Sequence, residues 1–209
     1  MILDDIFISL QRSNPSEVQR LVQQALDEGI SPSRILDEGL IKGMSVIGRK
    51  FKNNEIFVPE VLVAARAMNF GLKILRPALI SSHTKAKGTA LICTVMGDLH
   101  DIGKNMVKMM LEGQGIDVID LGVDVTPEMV ATAIQEHHPD IVCLSALLTT
   151  TMVNQKVIID YLVEHHLRSL VKIMVGGAPI TAEFAREIQA DAYASDAASA
   201  ADIALTFLN

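Results

Sequence analysis

The sequence predicts a helical part followed by an α/β part built on a doubly wound, five-stranded parallel sheet, and three observations lead to that expectation. Residues 1 to 80 carry apolar residues at intervals of three and four behind cap signals, with no strand pattern among them. After Gly88 short apolar runs alternate with amphipathic stretches, the signature of βα units around a parallel sheet. Between the two, residues 81 to 88, with His83, Lys85 and Lys87, have the composition of an exposed linker. With 209 residues, 49% of them hydrophobic, the chain can fill a core for each part. The expected division is therefore 1–80, 81–88 and 89–209.

Taken in order, Asn14 is an N-cap ahead of Pro15 and Glu17, and Gly29 stops that helix. Ser31 and Pro32 repeat the device. From Pro59 to Leu79, residues Val61, Ala65, Met68, Leu72, Leu75 and Leu79 form one apolar stripe, which reads as core. Pro77 is expected to kink or end that helix. The strands are expected at Ala90 to Met96, Asp117 to Leu121, Asp140 to Leu144, Lys172 to Val175 and Ala192 to Ala194, each followed by a helix. Thr126 and Pro127 cap the second of these helices, and His137, His138 and Pro139 close it. His165 and His166 end the next one, and Met109 with Met110 packs a helix on the sheet.

Composition removes several classes of function. A formal net charge of -7 argues against nucleic acid, because phosphate binding draws on clustered Lys and Arg. Asp4 and Asp5 precede any basic residue, the wrong charge order for a secretory signal, and no segment reaches transmembrane length. Cys93 and Cys143 each sit in an apolar run and read as buried core thiols. The expectation is a cytoplasmic protein whose partners are proteins or small molecules.

In open α/β sheets ligands bind beyond the carboxyl ends of the strands, which directs attention to the loops after residues 96, 144 and 175. The first, Gly97-Asp98-Leu99-His100-Asp101-Ile102-Gly103-Lys104-Asn105, concentrates carboxylates, an imidazole and glycines. A carboxylate two residues from an imidazole can take the proton of one ring nitrogen while the other nitrogen faces a metal. Taken alone, Asp-x-His is more often an ordinary polar turn. The next loop, Ser145-Ala146-Leu147-Leu148-Thr149-Thr150-Thr151, is rich in hydroxyls, and its plain reading is a helix cap. Gly176-Gly177 would let a backbone approach a bulky ligand closely, although such a pair is more often only a turn.

Together these residues resemble the corrinoid proteins of methyltransferase systems, relatives of the cobalamin-binding module of methionine synthase. The Asp-x-His-x-x-Gly element is Asp98, His100 and Gly103, the Ser-x-Leu element is Ser145 and Leu147, and the Gly-Gly element is Gly176 and Gly177. The resemblance extends to the helical part through Gly43-Met44, Val46, Gly48, Phe51, Phe57-Val58-Pro59-Glu60 and Ala64 to Met68. Arg49 departs from it, standing where an acidic residue is expected.

The resemblance implies a flavodoxin- or Rossmann-like domain over residues 89–209 that binds cobalamin or a related corrinoid, under a helical cap. It makes His100 the lower axial ligand of cobalt, with Asp98 and Thr151 as its relay. Gly97, Leu99, Asp101, Ile102 and Gly103 belong to the same binding loop. Ser145, Leu147, Thr149, Gly176 and Gly177 would line a slot for the nucleotide tail, and Phe57 and Met68 would face the methyl group. The implied activity is that of a carrier, shuttling a methyl group on cobalt between methyl-Co(III) and Co(I) states. It has no catalytic residue of its own for activating a donor. Implied partners are a substrate-specific methyltransferase subunit, an acceptor methyltransferase serving tetrahydrofolate or a thiol, and a corrinoid reductive activase. The donor, among methanol, methylamines, betaines and methoxylated aromatics, is left open. A corrinoid-based sensor and the small subunit of an adenosylcobalamin mutase are the alternatives, and a flavin or receiver domain is a more distant one.

Overall fold

The computed structural model describes residues 2–81 and 86–209. His83 and Lys85 of the expected linker fall outside the described residues. The chain divides into two compact units, Met1–Ala86 with Gly113–Gly115 and Lys87–Glu112 with Ile116–Asn209.

The first unit is helical: α1 (Ile2–Gln11), α2 (Pro15–Asp27), α3 (Pro32–Arg34), α4 (Lys42–Lys52) and α5 (Val58–Ser81), with a π-helical stretch over Ile35–Ile41 joining α3 to α4. Asn14 caps α2 by accepting the Glu17 N–H at 3.2 Å, and Gly29 takes a φ of +76° just beyond that helix. Ser31 occupies the equivalent position before Pro32, but its hydroxyl makes no capping bond. The stripe on α5 is core as expected, with Val61, Ala65, Met68 and Leu75 buried and Leu72 and Leu79 partly so. This helix packs on α2, and α1 packs on α2 and α4. Helix α5 does not stop at Pro77 but continues to Ser81.

The second unit holds β1 (Thr89–Thr94), α6 (Ile102–Glu112), β2 (Asp117–Asp120), α7 (Pro127–His137), β3 (Ile141–Ser145), α8 (Val153–Glu164), β4 (Lys172–Gly176), α9 (Ala182–Glu187), β5 (Ala192–Ala194) and α10 (Ala197–Leu208). The five strands are parallel in the order β2-β1-β3-β4-β5. Strand β1 ends two residues earlier than expected, since Val95 makes only an isolated bridge to Val125 before the chain turns at Met96 and Gly97.

Alternate strand residues share one face of the sheet. Leu91, Cys93, Val95, Val142, Leu144, Ile173 and Val175 form a core with Val130 and Ile134 of α7 and Ile158, Ile159 and Leu162 of α8. Both thiols are buried, and burial pushes Cys93 and Cys143 up to about 12. Thr126 caps α7, His138 ends it in a left-handed conformation, and His165 caps the end of α8, all as the sequence indicated. Among the described residues, no helix is long and apolar enough to cross a membrane.

This strand order puts a topological switch between β1 and β3, whose connections run to opposite sides of the sheet. The loops after β1, β3 and β4 leave three adjacent strands at their carboxyl ends, the place where open α/β sheets bind ligands.

Candidate functional site

Asp98 is the centre of these loops. The turn that follows β1 carries it inward until its side chain is fully buried, and both carboxylate oxygens are then occupied twice. Oδ1 accepts the His100 N–H at 3.1 Å and lies 2.7 Å from His100 Nδ1. Oδ2 accepts the Leu147 N–H at 2.7 Å and the Thr151 hydroxyl at 2.7 Å. Burial works against the charge, but the bonds from Leu147, Thr151 and His100 outweigh it and hold the carboxyl well below the usual carboxylate range.

An ionised carboxylate only accepts, so Nδ1 of His100 must be the donor in that contact, which leaves the Nε2 lone pair free in a neutral imidazole. The His100 side chain is half exposed, whereas the carboxylate below it is sealed off. Thr94, at the end of β1, donates its hydroxyl to the His100 carbonyl at 2.8 Å and fixes the backbone on the other side. The outcome is one outward-facing imidazole nitrogen on an immobilised base.

The neighbouring surface is apolar where a loop of this kind would ordinarily be polar. Leu99 is 72% and Ile102 73% exposed, and Met96, Leu147 and Leu148 are also exposed. Of the other expected site residues, Asp101, Gly103 and Thr149 are exposed, and Ser145, Gly176 and Gly177 are half-buried. Ser145 and Gly176 are partners in the β3–β4 register, so the hydroxyl loop and the Gly-Gly loop start side by side. Gly177 has a φ of +128°, and a Cβ there would overlap the Ala146 carbonyl oxygen. Only glycine fits that approach. Thr151 is not the cap of α8, a position held by Met152; its hydroxyl serves Asp98.

Four further residues shape the site without having stood out in the sequence. Asp124 accepts the Gly97 N–H at 2.7 Å, and Asn154 donates to the Met96 carbonyl at 2.7 Å. Gln155, fully buried, donates to the carbonyls of Leu144 and Gly176 at 2.9 and 3.1 Å and ties the ends of β3 and β4 together. Asp120, at the end of β2, accepts from Lys104 Nζ at 2.7 and 2.8 Å, pinning the start of α6. Each of the four acts on a segment remote from it in sequence, so no local spacing marks it.

Both units match a family model described as a B12 binding domain, one model over residues 2–76 and the other over 88–202. The chain belongs to the B12-binding family of corrinoid proteins. It is 42% identical over 212 residues to monomethylamine corrinoid protein 1 of Methanosarcina acetivorans, covering 99% of this chain and 97% of that one. It is 44% identical over 181 residues to the trimethylamine corrinoid protein of Methanosarcina barkeri, covering 86% and 83%. Among solved structures, the methanol:cobalamin methyltransferase complex of Methanosarcina barkeri superposes with a TM-score of 0.89 at 32% identity, covering 99% of this chain and 79% of that one. A cobalamin-binding protein of Desulfitobacterium hafniense gives 0.82 at 25% identity, covering 99% and 98%. The resemblance read from the sequence therefore holds, and the cofactor of this corrinoid protein is cobalamin or a related corrinoid.

The donor set fits such a cofactor. One imidazole nitrogen cannot hold a metal ion alone, and among the described residues no group of three or more His, Cys, Asp or Glu is arranged to do so. A corrinoid brings a cobalt already held by its ring, so it would ask the protein for one further donor and an apolar seat. The loop offers both, with a histidine whose second nitrogen is held by a carboxylate, as is usual for metal-bound histidines.

Proposed function

We infer that this corrinoid protein is the methyl-carrying subunit of a methyltransferase system, with His100 as the lower axial ligand of cobalt. The observation that carries the reading is the Asp98–His100–Thr151 arrangement, which leaves a single imidazole nitrogen free above a saturated, buried carboxylate. In this reading Gly97, Leu99, Asp101, Ile102 and Gly103 form the seat around that ligand, and Ser145, Leu147, Thr149, Gly176 and Gly177 line the slot for the cofactor's tail. Residues 89–209 hold the corrinoid, residues 1–80 serve as the cap, and residues 81–88 join them.

The corrinoid supplies a cobalt that accepts a methyl group and gives it up again, chemistry that belongs to the cofactor itself. The protein's part is to present and withdraw one nitrogen. Nδ1–H stays on Asp98 throughout, so the ring is oriented whether Nε2 serves as a ligand or carries a proton. With a corrinoid bound, His100 would present Nε2 to it while Asp98 Oδ1, 2.7 Å from Nδ1, would hold the ring in orientation. Thr151 and the Leu147 amide keep the carboxylate charged and in place for both states.

The relatives' names support a small methyl compound as donor, a methylamine or methanol, activated on a separate substrate-specific methyltransferase. A second methyltransferase would pass the group to tetrahydrofolate or a thiol, and a reductive activase would restore oxidised cofactor. The test is reconstitution with hydroxocobalamin, comparing visible spectra of wild type and His100→Ala. Wild type should show an imidazole-ligated corrinoid and the variant a base-off spectrum; identical spectra would remove His100 from the metal.

A further inference from the structure

The peptide group between Met96 and Gly97 is gripped at both ends by side chains from elsewhere, one from the loop after β2 and one from the first turn of α8. Its carbonyl oxygen accepts from Asn154 Nδ2 at 2.7 Å, and its N–H donates to Asp124 Oδ1 at 2.7 Å. Residues 95 to 98 form a β-turn closed by the Asp98 N–H on the Val95 carbonyl at 3.1 Å. Gly97, third in that turn, has a φ of +80°, whereas Met96 does not have a positive φ. That combination defines a type II turn.

Types I and II differ by rotation of the central peptide group, and here the central group is the one that is gripped. Glycine accepts either sign of φ, so Gly97 permits the type II form without selecting it. The selection comes from outside the turn. Asp124 adds a further tie, since its own N–H donates to the Asp98 carbonyl at 3.1 Å. It does so from a φ of +56°, a region that aspartate tolerates better than most residues. On the other side, Asn154 in the first turn of α8 lies three residues after Thr151 in the turn before it, so one short segment holds both the 95–98 turn and the carboxylate that follows it.

We propose that Asp124 and Asn154 are positioning residues for His100, locking the 95–98 turn in its type II form and thereby fixing where Asp98, and through it the imidazole, stands. The inference rests on the reading of His100 as the axial ligand. A rotated 96–97 peptide would point its N–H away from Asp124 and redirect the chain just before Asp98. Asp98 must meet four donors at once, so a small redirection at residue 97 is felt at Nε2.

Two measurements on the full chain test this. In the cofactor-free protein, the Gly97 amide should be protected from hydrogen exchange. Asp124→Ala should speed its exchange about tenfold or more, the effect of losing one hydrogen bond to a charged group, while the Leu91 amide in β1 is unaffected. Asp124→Asn, which keeps an oxygen acceptor, should restore protection. In the nitrogen-15-labelled protein loaded with hydroxocobalamin and reduced to cobalt(II), electron paramagnetic resonance distinguishes a protein nitrogen on cobalt from the cofactor's own base. Asp124→Ala and Asn154→Ala should each lower the ratio of His-ligated to unligated cobalt about tenfold, with Asp124→Asn close to wild type. If both alanine variants keep the wild-type ratio, or the Gly97 amide exchanges at the same rate in Asp124→Ala, the positioning role is overturned while the ligand reading stands. If wild type itself shows no protein nitrogen on cobalt, the ligand reading falls and the positioning role with it.

Discussion

Replacing Thr151 by valine keeps the shape of the side chain and deletes one donor to a fully buried carboxylate. A hydrogen bond to a charged group contributes about 1.5–3 kcal/mol. Asp98 keeps its bonds from Leu147 and from His100, so a loss of about 2 kcal/mol is expected at neutral pH. In a chain of this length that lowers Tm by roughly 4–8 °C. The pH dependence has a definite sign. The folded Asp98 carboxyl lies below its ordinary range, so the stability it supplies is complete above about pH 4 and is lost as pH falls through the folded value. Valine raises that folded value. The gap between Thr151→Val and wild type should therefore be flat from about pH 8 to pH 5 and close in stronger acid. Circular-dichroism melts of the cofactor-free chain across that range measure it, with Thr151→Ser, which keeps the hydroxyl, as the control. Equal Tm values for valine variant and wild type, or a gap that widens toward acid, would refute the account of Asp98.

Three further substitutions probe the frame around the site. Gly177→Ala places a methyl group into the Ala146 carbonyl at a φ that alanine resists, so the variant should lose about 3 kcal/mol or more and accumulate as insoluble protein, read from soluble yield and melting temperature. Lys104→Met leaves Asp120 with the Gly122 N–H at 2.9 Å and, as its one cation, Lys108 at 3.3 Å, and should cost about 3 kcal/mol, while Lys108→Met, at a more exposed ion pair, should cost less than about 1 kcal/mol; urea midpoints of the two compare them. Because Asp120 is also held below its ordinary range, the Lys104 effect should shrink on acidification, never grow.

Local signals in the sequence located nearly every element. Thr126 before Pro127 and Asn14 before Pro15 announce helix starts because a side-chain oxygen ahead of proline satisfies the first free amides. A continuous apolar run from Ala90 marks the first strand, which is buried on both faces. Asp98 and His100 were legible for the same reason, since two residues of separation suffice for a carboxylate to reach its imidazole. Thr151 entered only through family resemblance, because no local rule links residue 151 to residue 98. Asp124, Asn154 and Asp120 were missed on the same grounds: each acts on a loop that is remote in sequence and near only after the strands have paired. Of the two outcomes expected at Pro77, a kink or an end, the helix does not end there but runs on to Ser81.

The grip on Asp98 also has a consequence for the order in which the protein is made. Its donors come from 49 and 53 residues downstream, and the Met96 carbonyl waits for a partner 58 residues away. Contacts that span so much chain are paid for in loop-closure entropy before they return anything, and they form late in folding. Synthesis runs from the N-terminus, so a nascent chain that has produced β1 and His100 still has a loose polar loop there. Any corrinoid that selects the finished site then stabilises only molecules that have completed the sheet through β3 and the start of α8. The histidine is translated at residue 100, but the carboxylate and turn beneath it are held only once residues 147 to 154 have arrived.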